Sequence, residues 1–281
     1  MATVLAGQTN PSDKDSSRWE DAVARRIIDI SVPLQSDIAS DPPGTEPKIT
    51  YFDHKQSAPQ VCTFFPGSTP ADLPDGEGWA VERIDISTHN GTHLDAPWHF
   101  ASTMDKGKRA ITIDEVPLEW CFQPGVKLDF RHFPNGYVAT PADVEAELKR
   151  IGHTLRAARD RRRQHLGGKA LRRARLRADG LRHGPGGDAL SHLARRARSP
   201  APTPGRGTRP SSTRPRNMPR PRTPSLIWEG HKSGREIGYC HIEKLHNLEA
   251  LPAHGFTVAC FPVKIKAASA GWTRAVAIIE E

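Results

Sequence analysis

The stretch His89-Asn90-Gly91-Thr92-His93-Leu94-Asp95-Ala96-Pro97-Trp98-His99 places three imidazoles and a carboxylate within eleven residues. Neutral imidazole and carboxylate are borderline-to-hard donors, and with no cysteine nearby they suit zinc or manganese better than a softer metal. Gly91 and Pro97 argue against a regular helix, so the His89/His93 pair is expected on a strand that turns at the glycine. After that turn, His93, Asp95 and His99 fall on odd positions, while Leu94, Ala96, Trp98 and Phe100 fall on even ones. An extended backbone then points the ligands one way and the apolar side chains the other. A single histidine in a Gly/Pro segment is commonly a turn or surface residue. Four ligand side chains backed by an apolar face point instead to a metal site.

At all seven fixed positions, His-x-Gly-Thr-His-x-Asp-x-Pro-x-His resembles the signature of the cyclase family, metal-dependent hydrolases that include bacterial kynurenine formamidase and isatin hydrolase. The resemblance runs roughly over Ile27 to Leu155 and Pro224 to Glu281, and includes Glu229-Gly230-His231 and Gly238 through Leu248. It implies an α/β fold, the family's swivelling β/β/α domain. It also implies that His89, His93 and Asp95 hold one divalent metal, and that His99, His231 and Glu243 form a second site or its proton-transfer shell. Zinc or manganese, as one or two ions, is the cofactor so implied, and a homodimer or larger homo-oligomer the assembly. In isolation, Glu243 beside Ile242 and Leu245 would read as a solvated face residue, and only the resemblance reverses that. His241 and His246 read as structural or pocket-lining.

The chemistry that such a set can run is hydrolysis of an unreactive amide, because a bound divalent metal lowers the pKa of water and polarises a carbonyl oxygen. His99 or Glu243 is the expected proton carrier, a role worth about a hundred- to ten-thousand-fold when its pKa is suitable. No Gly-x-Ser-x-Gly elbow supports a serine nucleophile. Resemblance to kynurenine formamidase implies an N-formyl aryl amide, N-formylkynurenine cleaved to kynurenine and formate in tryptophan catabolism. An isatin-type cyclic amide fits the same centre. The aryl ring needs an apolar wall, for which Trp98, Phe64 and Phe65 are the candidates, although each could equally be core.

Several elements must position these residues. Ile27 to Leu34 reads as a strand closed by Pro33, followed by a turn at Asp41-Pro42-Pro43-Gly44. Lys48 to Ala80 is polar and punctuated by Pro and Gly, and is expected to be a long loop near the pocket. Val81 to Ser87 alternates and delivers the chain to His89. The loop Ala101 to Arg109 leads to Ile111-Thr112-Ile113, and Val126 to Phe130 reads as a strand. Thr140 caps a helix with Pro141 at its first position, an apolar stripe at Val144, Leu148 and Ile151, and a stop at Gly152. Phe256 to Cys260 and Val263 to Ile265 read as one bulged strand around Pro262, and Ala275 to Ile279 as a buried closing strand.

Composition bounds the rest. The chain has 281 residues, 36% of them hydrophobic, and its four cysteines form no Cys-x-x-Cys pair, so reduced thiols are expected. No run of about 18 apolar residues is present, which suggests a cytoplasmic protein without a membrane partner. Residues 1–24 read as a flexible leader, and 25–155 with 223–281 as one hydrolase domain. Between them, 156–222 holds 19 Arg and one Lys against three Asp, a charge of +17 in a chain whose net charge is +8, with no Ile, Val, Phe, Tyr or Trp. Such a segment cannot bury enough apolar area to offset its ordering entropy, so disorder is expected. A nucleic-acid-binding arm is disfavoured, because no aromatic is available for stacking. Arg, Pro, Ala and Gly are what a GC-rich gene yields in a wrong frame, and a pair of compensating frameshifts is the favoured explanation. An inactive family member is the corresponding alternative to an enzyme.

Overall fold

The structure is a computed structural model that describes residues 24–36, 44–133, 138–154 and 238–281, with the short pieces 176–177, 203–205 and 235. Along the chain lie β1 (Arg25–Asp29), β2 (Lys48–Phe52), α1 (His54–Cys62), β3 (Val81–Asp85), β4 (His93–Asp95), α2 (Pro97–Phe100), β5 (Thr103–Met104), β6 (Lys108–Arg109), β7 (Phe122–Val126), β8 (Val138–Ala139) and α3 (Pro141–Arg150). There follow β9 (Leu176–Arg177), β10 (Thr203–Gly205), β11 (His241–Glu243), β12 (His254–Ala259), β13 (Ala270–Trp272) and β14 (Val276–Glu280). The predicted leader, the turn at residues 41–43 and, apart from β9 and β10, the basic segment lie outside the described residues.

Two four-stranded sheets organise these elements. One has the order β1-β14-β12-β7, the other β10-β11-β4-β13. They share a core: Leu94 and Ile242 from the second sheet belong to the same buried cluster as Phe256, Val258 and Ala277 from the first, together with Ile30 and Leu248. Each sheet thus buries one apolar face against the other. The cluster also contains Cys121, Cys240 and Cys260, and all four thiols are free. Among the described residues, no helix is long and apolar enough to cross a membrane.

The helix expected after Thr140 is present as α3. Thr140 accepts from Asp143 N, the Asp143 side chain returns the bond, and Val144 and Leu148 are buried against Leu128 and Phe130. Gly152 follows at φ +65°. Expected strands survive with shifted bounds. The first ends at Asp29 and sits at a sheet edge, paired only with β14. The last runs Val276–Glu280, with Ala277 fully buried but Ile278 and Ile279 only half-buried.

Other expectations are corrected. Lys48 to Ala80 is not a long loop: it holds β2, which pairs with β3, and α1. The signal for α1 was Asp53-x-x-Gln56, where the Asp53 carboxylate accepts from Lys55 N and Gln56 N while the Gln56 side chain accepts from Asp53 N. Polar composition and Pro59 hid it. Ala101 to Arg109 closes into the hairpin β5–β6 around Asp105, Lys106 and Gly107, all with positive φ. The strand expected at Val126 to Phe130 lies upstream as β7, since its partner β12 holds residues 122–126 in register despite Pro124. Val263 to Ile265 is not strand, and the bulge falls instead between His254 and Phe256.

Two packing details generate expected outcomes. A Cβ on Gly125 would sit 2.1 Å from the Phe256 ring. Gly125→Ala should therefore destabilise the fold by about 1–3 kcal/mol through overpacking, read as a lower urea midpoint at unchanged m-value. Glu147, with a side chain 4% exposed, accepts from Asp129 N at 2.9 Å and pairs with Arg150 at 2.6 Å. Burial opposes its ionisation, but the Arg150 guanidinium and the Asp129 N–H outweigh burial and lower its pKa. Its contribution is therefore complete above the ordinary Glu value of about 4.3 and fades as pH falls through the lowered folded value. Glu147→Gln should flatten the loss of stability in that acid window, as followed by urea unfolding at stepped pH.

Candidate metal centre

β4 lies between β11 and β13, antiparallel to both. The register sets His93 opposite Glu243 and Asp95 opposite His241, so these four side chains share one face of the sheet. The reverse face carries Leu94 and Ile242, both with no exposed area, directly over the shared core. Alternation over 93–95 thus follows the expected pattern. It stops there, because Ala96 and Pro97 start α2, and His99 comes back toward Asp95 as its i+4 neighbour rather than by strand parity. His89 likewise sits in the turn ahead of β4, not on a strand. Gly91 makes that turn at φ +57°, with Leu34 3.1 Å from where a Cβ would be.

Two groups of donor atoms result, His89/Asp95/His99 and His93/Asp95/Glu243, each with all its atoms within 4.8 Å of one another. Asp95 belongs to both. His89 Nδ1 is 2.9 Å and His93 Nε2 3.3 Å from Asp95 Oδ1, His99 Nε2 is 3.9 Å from Asp95 Oδ2, and His93 Nε2 is 3.8 Å from Glu243 Oε2. His93 and Asp95 are fully buried and Glu243 nearly so, whereas the His89 and His99 rings remain partly open.

The ring nitrogens are sorted by their other contacts. Nδ1 of His93 lies 2.9 Å from Gly91 O, so it is the donor, and Nε2 turns its lone pair toward two carboxylates. Nε2 of His89 lies 3.0 Å from Ser269 Oγ, leaving Nδ1 toward Asp95. Lone pairs facing carboxylate oxygens in a buried space repel unless a proton or a cation lies between them. The pKa directions say the same. Burial works against charge on His93, but Asp95 and Glu243 outweigh it and raise its pKa; burial also opposes ionisation of Asp95, yet its contacts with His89 and His93 hold it well below the carboxylate range. A divalent cation, with three carboxylate and imidazole ligands per group, fits this donor set.

Thr92, a motif position with no role assigned from sequence, joins four segments. Its hydroxyl accepts from Val32 N at 2.9 Å and donates to Lys244 O at 2.7 Å, while its carbonyl accepts from Thr273 N at 3.1 Å. Ser269 anchors the other side, since its carbonyl accepts from Ala96 N. Ser269 carries no sequence signal, and Lys244 none beyond lying in the resembling stretch Gly238 through Leu248. Near the imidazoles, Phe100 stacks on Tyr239 at 4.7 Å and approaches His99 and His241 at 5.8 and 6.1 Å between ring centroids. Trp98 projects from α2 at 42% exposure. Phe64 and Phe65 are exposed just past α1, where Phe64 meets Trp79 edge-on. His231 lies outside the described residues.

Over residues 28–160, a span that includes the whole histidine motif, the chain matches the family described as "Putative cyclase". The kynurenine formamidase of Bacillus cereus is 37% identical over 87 residues, 31% of this chain and 32% of that protein, so the match spans about a third of the relative's length. Isatin hydrolase A from Labrenzia aggregata superimposes with a TM-score of 0.52 at 21% identity over 92% of this chain and 94% of that one. Isatin hydrolase A from Ralstonia solanacearum gives 0.52 at 19% over 91% and 92%. At those identities the likeness is one of fold.

Gly271 faces Leu94 across the β13–β4 pair, and a Cβ there would lie 2.5 Å from Val263 O. Because backbone cannot yield as a side chain tip can, Gly271→Ala should displace β13 and weaken uptake of a divalent ion by the candidate centre. The check is metal content of the purified protein by atomic emission; wild-type stoichiometry would contradict the expectation.

Proposed function

We propose that the chain is a metal-dependent amide hydrolase of the arylformamidase type, cleaving N-formylkynurenine to kynurenine and formate. The observation that carries it is the meeting of His93, Asp95 and Glu243 on one buried sheet face, donors drawn from both sides of the chain's long middle segment. The resident ion is zinc or manganese, one or two, held by His89, His93, Asp95 and Glu243 with His231 as a further ligand, and His99 stands in its proton-transfer shell. When bound it supplies Lewis acidity and a water of lowered pKa. The domain is of the swivelling β/β/α kind, acts in the cytoplasm and assembles as a homo-oligomer.

The chain's own groups supply the proton traffic. Asp95, whose pKa is held low, remains a carboxylate throughout. His99, partly open and 3.9 Å from Asp95 Oδ2, accepts the proton of the attacking water and returns it to the aryl nitrogen as the C–N bond breaks; Glu243 is the second acceptor. Formate and the free amine leave. Trp98 and the Phe100–Tyr239 stack form the aryl wall next to His99, with Phe64 and Phe65 as its outer candidates.

A cyclic amide of the isatin type is the second reading, favoured by the fold likeness to two isatin hydrolases. Assay of the full chain with zinc or manganese on N-formylkynurenine and on isatin separates the two. Turnover of the formyl amide, lost on chelation and restored by the ion, is expected. His99→Ala should lower kcat by about a hundred- to ten-thousand-fold with metal content retained. Metal uptake without turnover of either substrate would sink the amide reading. A chain that aggregates and takes up no metal would support the inactive alternative.

A further inference from the structure

We propose that Lys244 is a positioning residue of the metal centre, clasping the end of β11 to the loop that carries His89. The inference rests on the metal reading above. β11 and β4 pair over three residues only, and the ladder ends where Glu243 meets His93. Glu243 therefore sits at the end of the β4 ladder, and the next backbone ties run elsewhere, from Leu245 to Ser31 and from His246 N to Ile30 O. Lys244 is the next residue. Its Nζ donates to His89 O at 2.8 Å, and its carbonyl accepts from Thr92 Oγ1 at 2.7 Å. One residue thus grips both ends of the segment between the first histidine and β4.

The backbone of Lys244 argues that the contact is more than incidental. Its φ is +58°, a left-handed conformation that side chains other than those of Asn and Asp rarely adopt. A glycine would take that conformation freely. What glycine could not supply is the ammonium bond to His89 O, and that bond fixes the histidine backbone relative to the Glu243 strand. His89 is then oriented from three directions: Lys244 at its carbonyl, Ser269 at Nε2 and Asp95 at Nδ1. Partners of this outer kind typically alter metal affinity by about ten- to a hundred-fold when removed.

The test uses the full chain and three variants, Lys244→Gly, Lys244→Met and Lys244→Arg. Readouts are zinc affinity by competition with a chromophoric chelator, the visible spectrum of the cobalt-substituted protein, and the melting temperature of the metal-free form. Lys244→Gly should keep or raise the metal-free melting temperature, since it relieves the backbone, yet weaken zinc binding about tenfold and alter the cobalt spectrum. Lys244→Met should weaken zinc binding likewise, and Lys244→Arg, which can still donate to His89 O, should recover most of it. Wild-type affinity and spectrum in both Lys244→Gly and Lys244→Met would overturn the clasp while leaving the metal centre intact. A wild-type chain that binds neither zinc nor cobalt would overturn the metal reading and the clasp with it.

Discussion

The register of β11 on β4 is the constraint on which the rest of the centre depends. With Glu243 opposite His93, every polar side chain of the two strands faces the same way and every apolar one faces the core. A slip of one residue would set Ile242 among the histidines and drive Glu243 into the cluster around Leu94, reversing both faces at once. The apolar face makes that error expensive, since Ile242 would lose its full burial, roughly 1.5–3 kcal/mol for such a side chain, and Glu243 would be buried among apolar groups without a partner. The hydrophobic core thus selects the geometry of the ligands without touching them.

The ligand face carries an opposing electrostatic tension. Two carboxylates and three imidazoles converge there, and the most buried members, His93 and Asp95, have no exposed area. Desolvation penalises charge on both, yet each lowers the penalty on the other, as their opposite pKa directions show. A proton on His93 offsets one of the two negative charges carried by Asp95 and Glu243; a divalent ion would offset both, with Gly91 O already holding the other ring nitrogen in the donor role.

Much of this was legible beforehand, and the limits have physical causes. His93, Leu94 and Asp95 could be placed by parity, because a three-residue strand has only two faces. His99 could not: the same parity arises by chance when a helix begins at Pro97, and the histidine returns to Asp95 by helical rather than extended spacing. Glu243 had no local signal at all, since its environment is made by a strand distant in sequence, and only the family motif pointed to it. Ser269 and Lys244 act through a hydroxyl and an ammonium on irregular backbone, where neither periodicity nor residue type discriminates. In the fold, α1 was hidden by polar composition although its Asp53–Gln56 cap was written in plain spacing. The strand at 122–126 was missed because Pro124 and Gly125 weaken a pattern that β12 nevertheless enforces.

The pairing of β4 with β11 has one more implication, for the polymer rather than the site. The two strands are joined through the chain between Asp95 and His241, and the entropy of closing a flexible loop grows only with the logarithm of its length, about 0.6 kcal/mol for each doubling. Adding or deleting tens of residues between the two strands would change that term by a fraction of a kcal/mol. The local contacts at the junction, which do not depend on contour length, decide whether the ends stay joined. A centre assembled this way is nearly indifferent to how much chain separates its halves, and acutely sensitive to a displacement of one residue where they meet.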